Sequence, residues 1–284
     1  MPYPFTTRAA YAIALLLLAG SCRMLAPEEK IKGYDLGKPE KFVMPGTLIE
    51  ISGIAFYKGN PDATYAIQDE QGKLFRLKWG VKKQSHVKFS KDGDFEDLTL
   101  AGDEAIVLKS NGKLYTLPLS DTLGEDATNV KEWKDLVPPG EYESLFYDEA
   151  TGFVYLLCKN CPDADPKVTV PGYRLRFEGG VLSPAGSFAI KVAQIRAING
   201  KVRRGFRPSA LARNPLTKEW FILSAVNQLL VIADSGWTVK NVYHLDGNRF
   251  NQPEGIAFDT AGNMYISNEG DHLSEGNILK FVRR

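Results

Sequence analysis

The chain has 284 residues, 44% apolar and 24% charged, the balance of an ordinary soluble globular protein rather than a fibrous or disordered one. Its formal net charge is +1. With no basic surplus and no helix-turn-helix or zinc-finger spacing, it carries no electrostatic footprint for nucleic acid.

The first residues stand apart. Arg8 supplies a charge, Ala9–Ala19 is an uncharged and mostly apolar run, and Ala19-Gly20-Ser21 precede Cys22. The run is too short to span a bilayer as a helix, so residues 1–21 read as a secretory signal peptide. A cysteine directly after small residues resembles a bacterial lipoprotein signal. That resemblance implies lipidation of Cys22, a membrane attachment through the lipid, and a place in the bacterial cell envelope facing the periplasm. Plain cleavage is the alternative. Loss of residues 1–21 would leave 34 basic and 34 acidic residues. Residues 22–38 read as a tether and 39–284 as one folded domain, expected to be monomeric.

Short apolar runs then recur between turn residues. Copy one has Ile51–Phe56, Thr64–Ile67, Lys73–Leu77 and His86–Phe89. Copy two has Asp94–Leu100, Glu104–Leu108, Lys113–Leu117 and a run around Val130–Leu136. Copy three has Tyr142–Phe146, Phe153–Leu157, Tyr173–Phe177 and Ser187–Ile195. Copy four has Arg207–Ala212, Trp220–Leu223, Leu229–Ile232 and Val239–Leu245. Copy five has Ile256–Phe258, Met264–Ile266 and a run ending at Phe281, with no fourth run before Arg284. The loop Asp259–Asn263 reads as a tight hairpin connection.

Ser52, Glu96, Glu143, Ser209 and Glu254 hold matching places, spaced 44, 47, 66 and 45 residues apart. Four strands in about 45 residues is the size of a propeller blade. The reading is therefore an all-β, five-bladed β-propeller. Pro39–Met44 is expected to complete the last sheet, because an unclosed array leaves bare sheet edges. The widest spacing leaves room for a sixth blade, the second choice. Helix content should be minimal, since no apolar stretch keeps helical spacing over three turns.

In such a ring the first strand of each blade lines the channel. Its start shares a face with the end of the second strand. That logic gathers Glu96, Glu143 and Glu254 near the axis. Asp69, Asn111, Asn160, Asn227 and Asn268 lie around them, with Glu269 alongside. Two carboxylates about 5 Å apart repel by about 3 kcal/mol at an effective dielectric near 20. A narrow mouth with three of them therefore needs protons, basic partners or a bound cation. Hard oxygen donors suit Ca²⁺, and the expected ligand set is Glu96, Glu143, Glu254, Asp69, Asn227 and Asn268. The competing role is structural, a carboxylate accepting backbone N–H groups at a strand start. His86, His244 and His272 match no repeat position. Asp92–Asp97 has the acidic flavour of an EF-hand loop but places Asp97 where the glycine belongs and Asp103 where the final glutamate belongs.

From Gly179 to Lys218 there is no acid. Arg204 and Arg207 in this basic stretch are candidates for contacting an anionic ligand or neutralising the glutamates, against the alternative of a solvated loop. Cys158-Lys-Asn-Cys161 ends a strand with no helix following, unlike a thioredoxin motif. It reads as a local disulfide or two free thiols, and two thiols alone make no structural zinc site.

Phe95-Glu-Asp-Leu, Tyr142-Glu-Ser-Leu, Phe206-Arg-Pro-Ser-Ala and Gln252-Pro-Glu-Gly-Ile-Ala-Phe resemble the blade starts of the SdiA-regulated, YjiK-like propellers, over about residues 45–283. That family is similar to NHL-repeat propellers. The resemblance implies a five-bladed ring with a Ca²⁺ site carried by Glu96, Glu143 and Glu254; Ser52 and Ser209 depart from the acidic pattern. The expected function is an envelope-anchored module that binds an unidentified small molecule or protein. A Ca²⁺-dependent lactonase or esterase is the alternative. No G-x-S-x-G, H-E-x-x-H or P-loop pattern is present.

Overall fold

The computed structural model describes residues 1, 31–199 and 202–284. The signal segment and Cys22 lie outside the described residues. Five four-stranded antiparallel sheets make up nearly the whole body. Strand β1 (Glu40–Val43) comes first in the chain. The first blade then follows as β2 (Ile51–Phe56), β3 (Thr64–Gln68), β4 (Lys73–Leu77) and β5 (Ser85–Lys88). The second is β6 (Phe95–Ala101), β7 (Glu104–Lys109), β8 (Leu114–Pro118) and β9 (Lys131–Trp133). The third is β10 (Glu141–Asp148), β11 (Phe153–Asn160), β12 (Thr169–Glu178) and β13 (Val181–Lys191). Helix α1 (Val192–Asn199) leads to the fourth, β14 (Ala210–Arg213), β15 (Trp220–Ser224), β16 (Leu229–Ala233) and β17 (Val239–His244). The fifth has β18 (Gln252–Phe258), β19 (Met264–Glu269) and β20 (Asn277–Phe281).

Its fourth strand is β1. Glu40, Lys41, Phe42 and Val43 pair antiparallel with Lys280, Leu279, Ile278 and Asn277. The sheet order β1-β20-β19-β18 joins the two ends of the described body and closes the ring. This is the closure expected of Pro39–Met44. The innermost strands pack in ring order, β2 on β6, β6 on β10, β10 on β14, β14 on β18 and β18 back on β2.

The middle strands are buried on both faces because each blade is sandwiched between two others. Ala105–Leu108 and Trp220–Ser224 are buried throughout. This explains why they read as continuous apolar runs instead of alternating ones. The core lies between blades. Between the third and fourth, Trp237 stacks on Phe188 at 3.8 Å and on Trp220 at 4.6 Å. Gly172 leaves room for this stack, since a Cβ there would meet the Phe188 ring at 2.2 Å.

Two expectations change. The 66-residue spacing holds no sixth blade: β12 and β13 are long, with 10 and 11 residues, and α1 and its loop take up the rest. Residues 31–36, assigned to the tether, pack on the body. Ile31 and Tyr34 are buried in a cluster with Phe221, Ile256 and Phe281. The Tyr34 hydroxyl donates to the Gly262 carbonyl at 2.5 Å and accepts from Asn214 Nδ2 at 2.8 Å.

Candidate functional site

The acidic positions arise from a break in strand register. Register shifts fall between Phe95 and Asp97, between Tyr142 and Ser144, and between Pro253 and Gly255. The residues in those gaps are Glu96, Glu143 and Glu254. A bulge inserts an unpaired residue and re-aims its side chain away from the regular alternation. The flanking residues stay in the core, with Phe95 and Tyr142 fully buried. In the first blade the same irregularity spans Ser52 and Gly53. Gly53 is required there, because a Cβ would meet Asp97 Oδ1 at 2.5 Å.

The three glutamates share one end of the channel with Asp69, just after β3, and Glu269, at the end of β19. Their mutual influence is visible in their proton affinities. Burial, with the neighbouring Asp94 adding to it, pushes the Glu96 carboxyl up to about 9. Burial raises Glu254 to about 7; the Lys159 ammonium opposes the rise and Asp69 adds to it. Burial, then the charges of Glu254, Asp69 and Glu50, raises Glu269 to about 8. Burial, then Glu50 and Glu70, raises Asp69 to about 6. Acids from the first, second and fifth blades thus feel one another.

Lys159 is the basic group in this mouth. Its ammonium is bonded to Glu143 Oε1 and lies 3.3 Å from Glu141 Oε1. Cys158 and Cys161 form a disulfide that brackets it. Asn160, which strand-end logic places at this rim, lies one residue on. Asn160 is exposed and pairs with Glu141. A one-residue step along a strand changes the face, so a strand-end estimate could not distinguish the two. The salient signal was a lysine enclosed between two cysteines.

The expected calcium ligands are not preassembled. Among the described residues, no three His, Cys, Asp or Glu side chains stand together as a metal set. Asn227 is committed to its own turn: its Oδ1 accepts from Arg207 N and the Ser224 hydroxyl, and its Nδ2 donates to Gly205 O. Asn268 gives its Nδ2 to Asn277 Oδ1 at 3.2 Å. Three acceptors in these segments are nevertheless buried without a hydrogen bond: Asp69 Oδ1, Glu143 Oε2 and Asn268 Oδ1. The donor chemistry suits a hard cation; the arrangement as it stands holds an ammonium.

Arg204 is exposed and makes no ion pair among the described residues. Arg207 sits beside Asn227 with its Nε buried and unpaired. Its loop is anchored elsewhere, Phe206 N donating to Pro166 O at 2.9 Å. Lys159, and not this arginine pair, is the base bonded to Glu143.

The buried Asp97 carboxylate accepts from Leu98 N at 2.8 Å and, across the blade boundary, from Leu145 N at 2.7 Å. On the far side, the ends of the five innermost strands open into a separate cavity of about 710 Å³.

Five antiparallel sheets around a closed axis define the class, a five-bladed β-propeller. Solved structures agree on the fold. The chain is similar to a glutaminyl cyclase from Myxococcus xanthus, with 14% identity, a TM-score of 0.54, and coverage of 85% of this chain and 93% of that one. It is also similar to a luciferin-regenerating enzyme, with 10% identity, a TM-score of 0.52, and coverage of 86% and 95%. A third is the PQQ-bound aldose sugar dehydrogenase of Streptomyces coelicolor, with 9% identity, a TM-score of 0.51, and coverage of 87% and 99%. At such identities the likeness concerns fold alone. No protein-family profile matches the chain, and no curated protein sequence matches it.

Proposed function

We propose that this chain is an envelope-anchored β-propeller of the SdiA-regulated, YjiK-like type, acting as a binding module whose acidic channel mouth recognises a cation. The observation that carries this reading is the seating of Lys159 on Glu143 at a mouth where burial raises the proton affinities of Glu96, Glu254, Glu269 and Asp69. An acidic cluster with Glu143 buried and Glu96, Glu254, Glu269 and Asp69 half-buried is costly unless protonated or paired. It holds one internal ammonium and several protons, and an external cation competes with both.

Ca²⁺ is the first candidate because every donor is a hard oxygen. Its binding requires Lys159 to leave Glu143, and Glu96 and Glu269 to release their protons. Lys159 then acts as an internal competitor. Calorimetric titration with CaCl₂ tests this directly. Wild type should bind weakly, Lys159→Met at least tenfold more tightly, and Glu143→Gln with Glu254→Gln not at all. Affinity should rise with pH between 6 and 9, as protons leave the carboxyls. No heat in any of the three proteins would remove the reading.

A second reading, a metal-dependent lactonase or esterase, draws on Glu254. A carboxyl near 7 is matched to general-base work at neutral pH. Turnover of aryl esters or lactones that depends on Ca²⁺ and falls in Glu254→Gln would favour it over the binding module.

A further inference from the structure

The end of the channel opposite the acids carries its own cavity. Its volume of about 710 Å³ lies within the range of roughly 300–1,000 Å³ typical of small-molecule sites. Each blade contributes one apolar residue at the matching position of its innermost strand: Ile54, Leu98, Leu145, Leu211 and Ile256. All five are buried. They form an apolar floor between the cavity and the acidic mouth. Farther out on the walls, Leu100, Phe146 and Phe258 are only half-buried.

The polar groups at the cavity are uneven in what they leave free. Asp259 is spent on Asn263 N at 2.8 Å, Asn263 Nδ2 at 2.7 Å and the Tyr265 hydroxyl at 3.3 Å. Asp148 takes Arg213 Nη1 at 2.6 Å and the Thr151 hydroxyl at 3.0 Å. Glu149 is exposed and lies in the field of Lys58. Arg213 gives its Nε to Lys218 O at 3.0 Å and rests over the Trp220 ring at 5.4 Å. Its Nη2 makes no hydrogen bond among the described residues, and Lys218 beside it is exposed and makes no ion pair among them. Arg213 Nη2 and the Lys218 ammonium remain available as donors beside Asp148 and Asp259, whose carboxylates are already engaged, while Glu149 lies out at the exposed rim.

We propose that this cavity binds an amphipathic carboxylate, its aliphatic body against the apolar walls and its anionic head on Arg213 and Lys218. Guanidinium groups favour planar carboxylates, and an apolar enclosure strengthens that bond. The site is independent of the acidic mouth, from which the apolar floor and Asp97 separate it.

Calorimetry with sodium laurate, and with 1-dodecanol as an uncharged control of equal chain length, tests the proposal. Laurate should bind one to one, and dodecanol at least tenfold more weakly. Arg213→Gln should weaken laurate about tenfold. Ala150→Trp, at an exposed turn on the cavity wall, should abolish binding without disturbing the core. Glu254→Gln, at the other end of the channel, should leave it unchanged. If Arg213→Gln fails to fold by circular dichroism, Ala150→Trp still decides. No laurate binding, equal binding of dodecanol, or full binding by Ala150→Trp would overturn the proposal.

Discussion

At the scale of single residues, the bulge determines what the mouth contains. Glu96, Glu143 and Glu254 could be picked out as acids at strand starts of a repeat, because their neighbours Phe95, Tyr142 and Pro253 mark the same blade position. Their environment was not legible. Proton affinity depends on burial and on neighbours distant in sequence, and Lys159 reaches Glu143 only once β11 has folded back on β10. In sequence, Asp97 is the last residue of the acidic stretch Asp92–Asp97. Its carboxylate satisfies the Leu98 and Leu145 amides inside the ring. Asp97→Ala would strand two buried N–H donors, and each such loss costs about 1–3 kcal/mol. Urea denaturation should therefore show a loss of about 2 kcal/mol or more, a far larger effect than for exposed acids such as Glu149.

At the scale of elements, closure rests on four residues of β1. The absence of a fourth run in copy five is enough to assign Pro39–Met44 to the last sheet, since a blade of three strands leaves β20 with a bare edge. A chain beginning at Pro45 exposes that edge and also loses the packing of Ile31 and Tyr34. It should show a lower melting temperature and a concentration-dependent increase in light scattering, with the intact chain as reference. The long β12–β13 hairpin was harder to read. The runs Tyr173–Phe177 and Ser187–Ile195 mark the two strands, but their full length shows only in the ladder from Thr169↔Lys191 to Glu178↔Val181, which takes in Pro171 and Pro184. The disulfide is a local device. Cys158 and Cys161 close a very short loop, worth roughly 2 kcal/mol by chain entropy. Replacing both by alanine should lower stability by about that amount in thermal unfolding. It should also loosen Lys159, raising cation affinity in the same direction as Lys159→Met.

At the scale of the whole molecule, the ring sorts chemistry by face: titrating carboxyls at one end, and at the other a cavity with an apolar floor and a charged rim. The acids make stability depend on pH with a definite sign. Asp69, Glu254, Glu269 and Glu96 are raised to about 6, 7, 8 and 9. In the folded state they hold protons that the unfolded chain releases near its ordinary carboxyl range. Their contribution is therefore present in full below that range and is lost as pH rises through 6 to 9. The melting temperature should fall between pH 5 and pH 9, and Glu96→Gln, neutral at every pH, should flatten the fall. The central claim is that carboxyls from blades far apart in sequence share one half-buried, proton-holding rim. Carboxyl-carbon NMR titration of the glutamates, assigned through single Glu→Gln variants, measures this most directly. The account predicts midpoints near 7 for Glu254, 8 for Glu269 and 9 for Glu96. Titration of all three between about 4 and 5, as free carboxyls do, would contradict it.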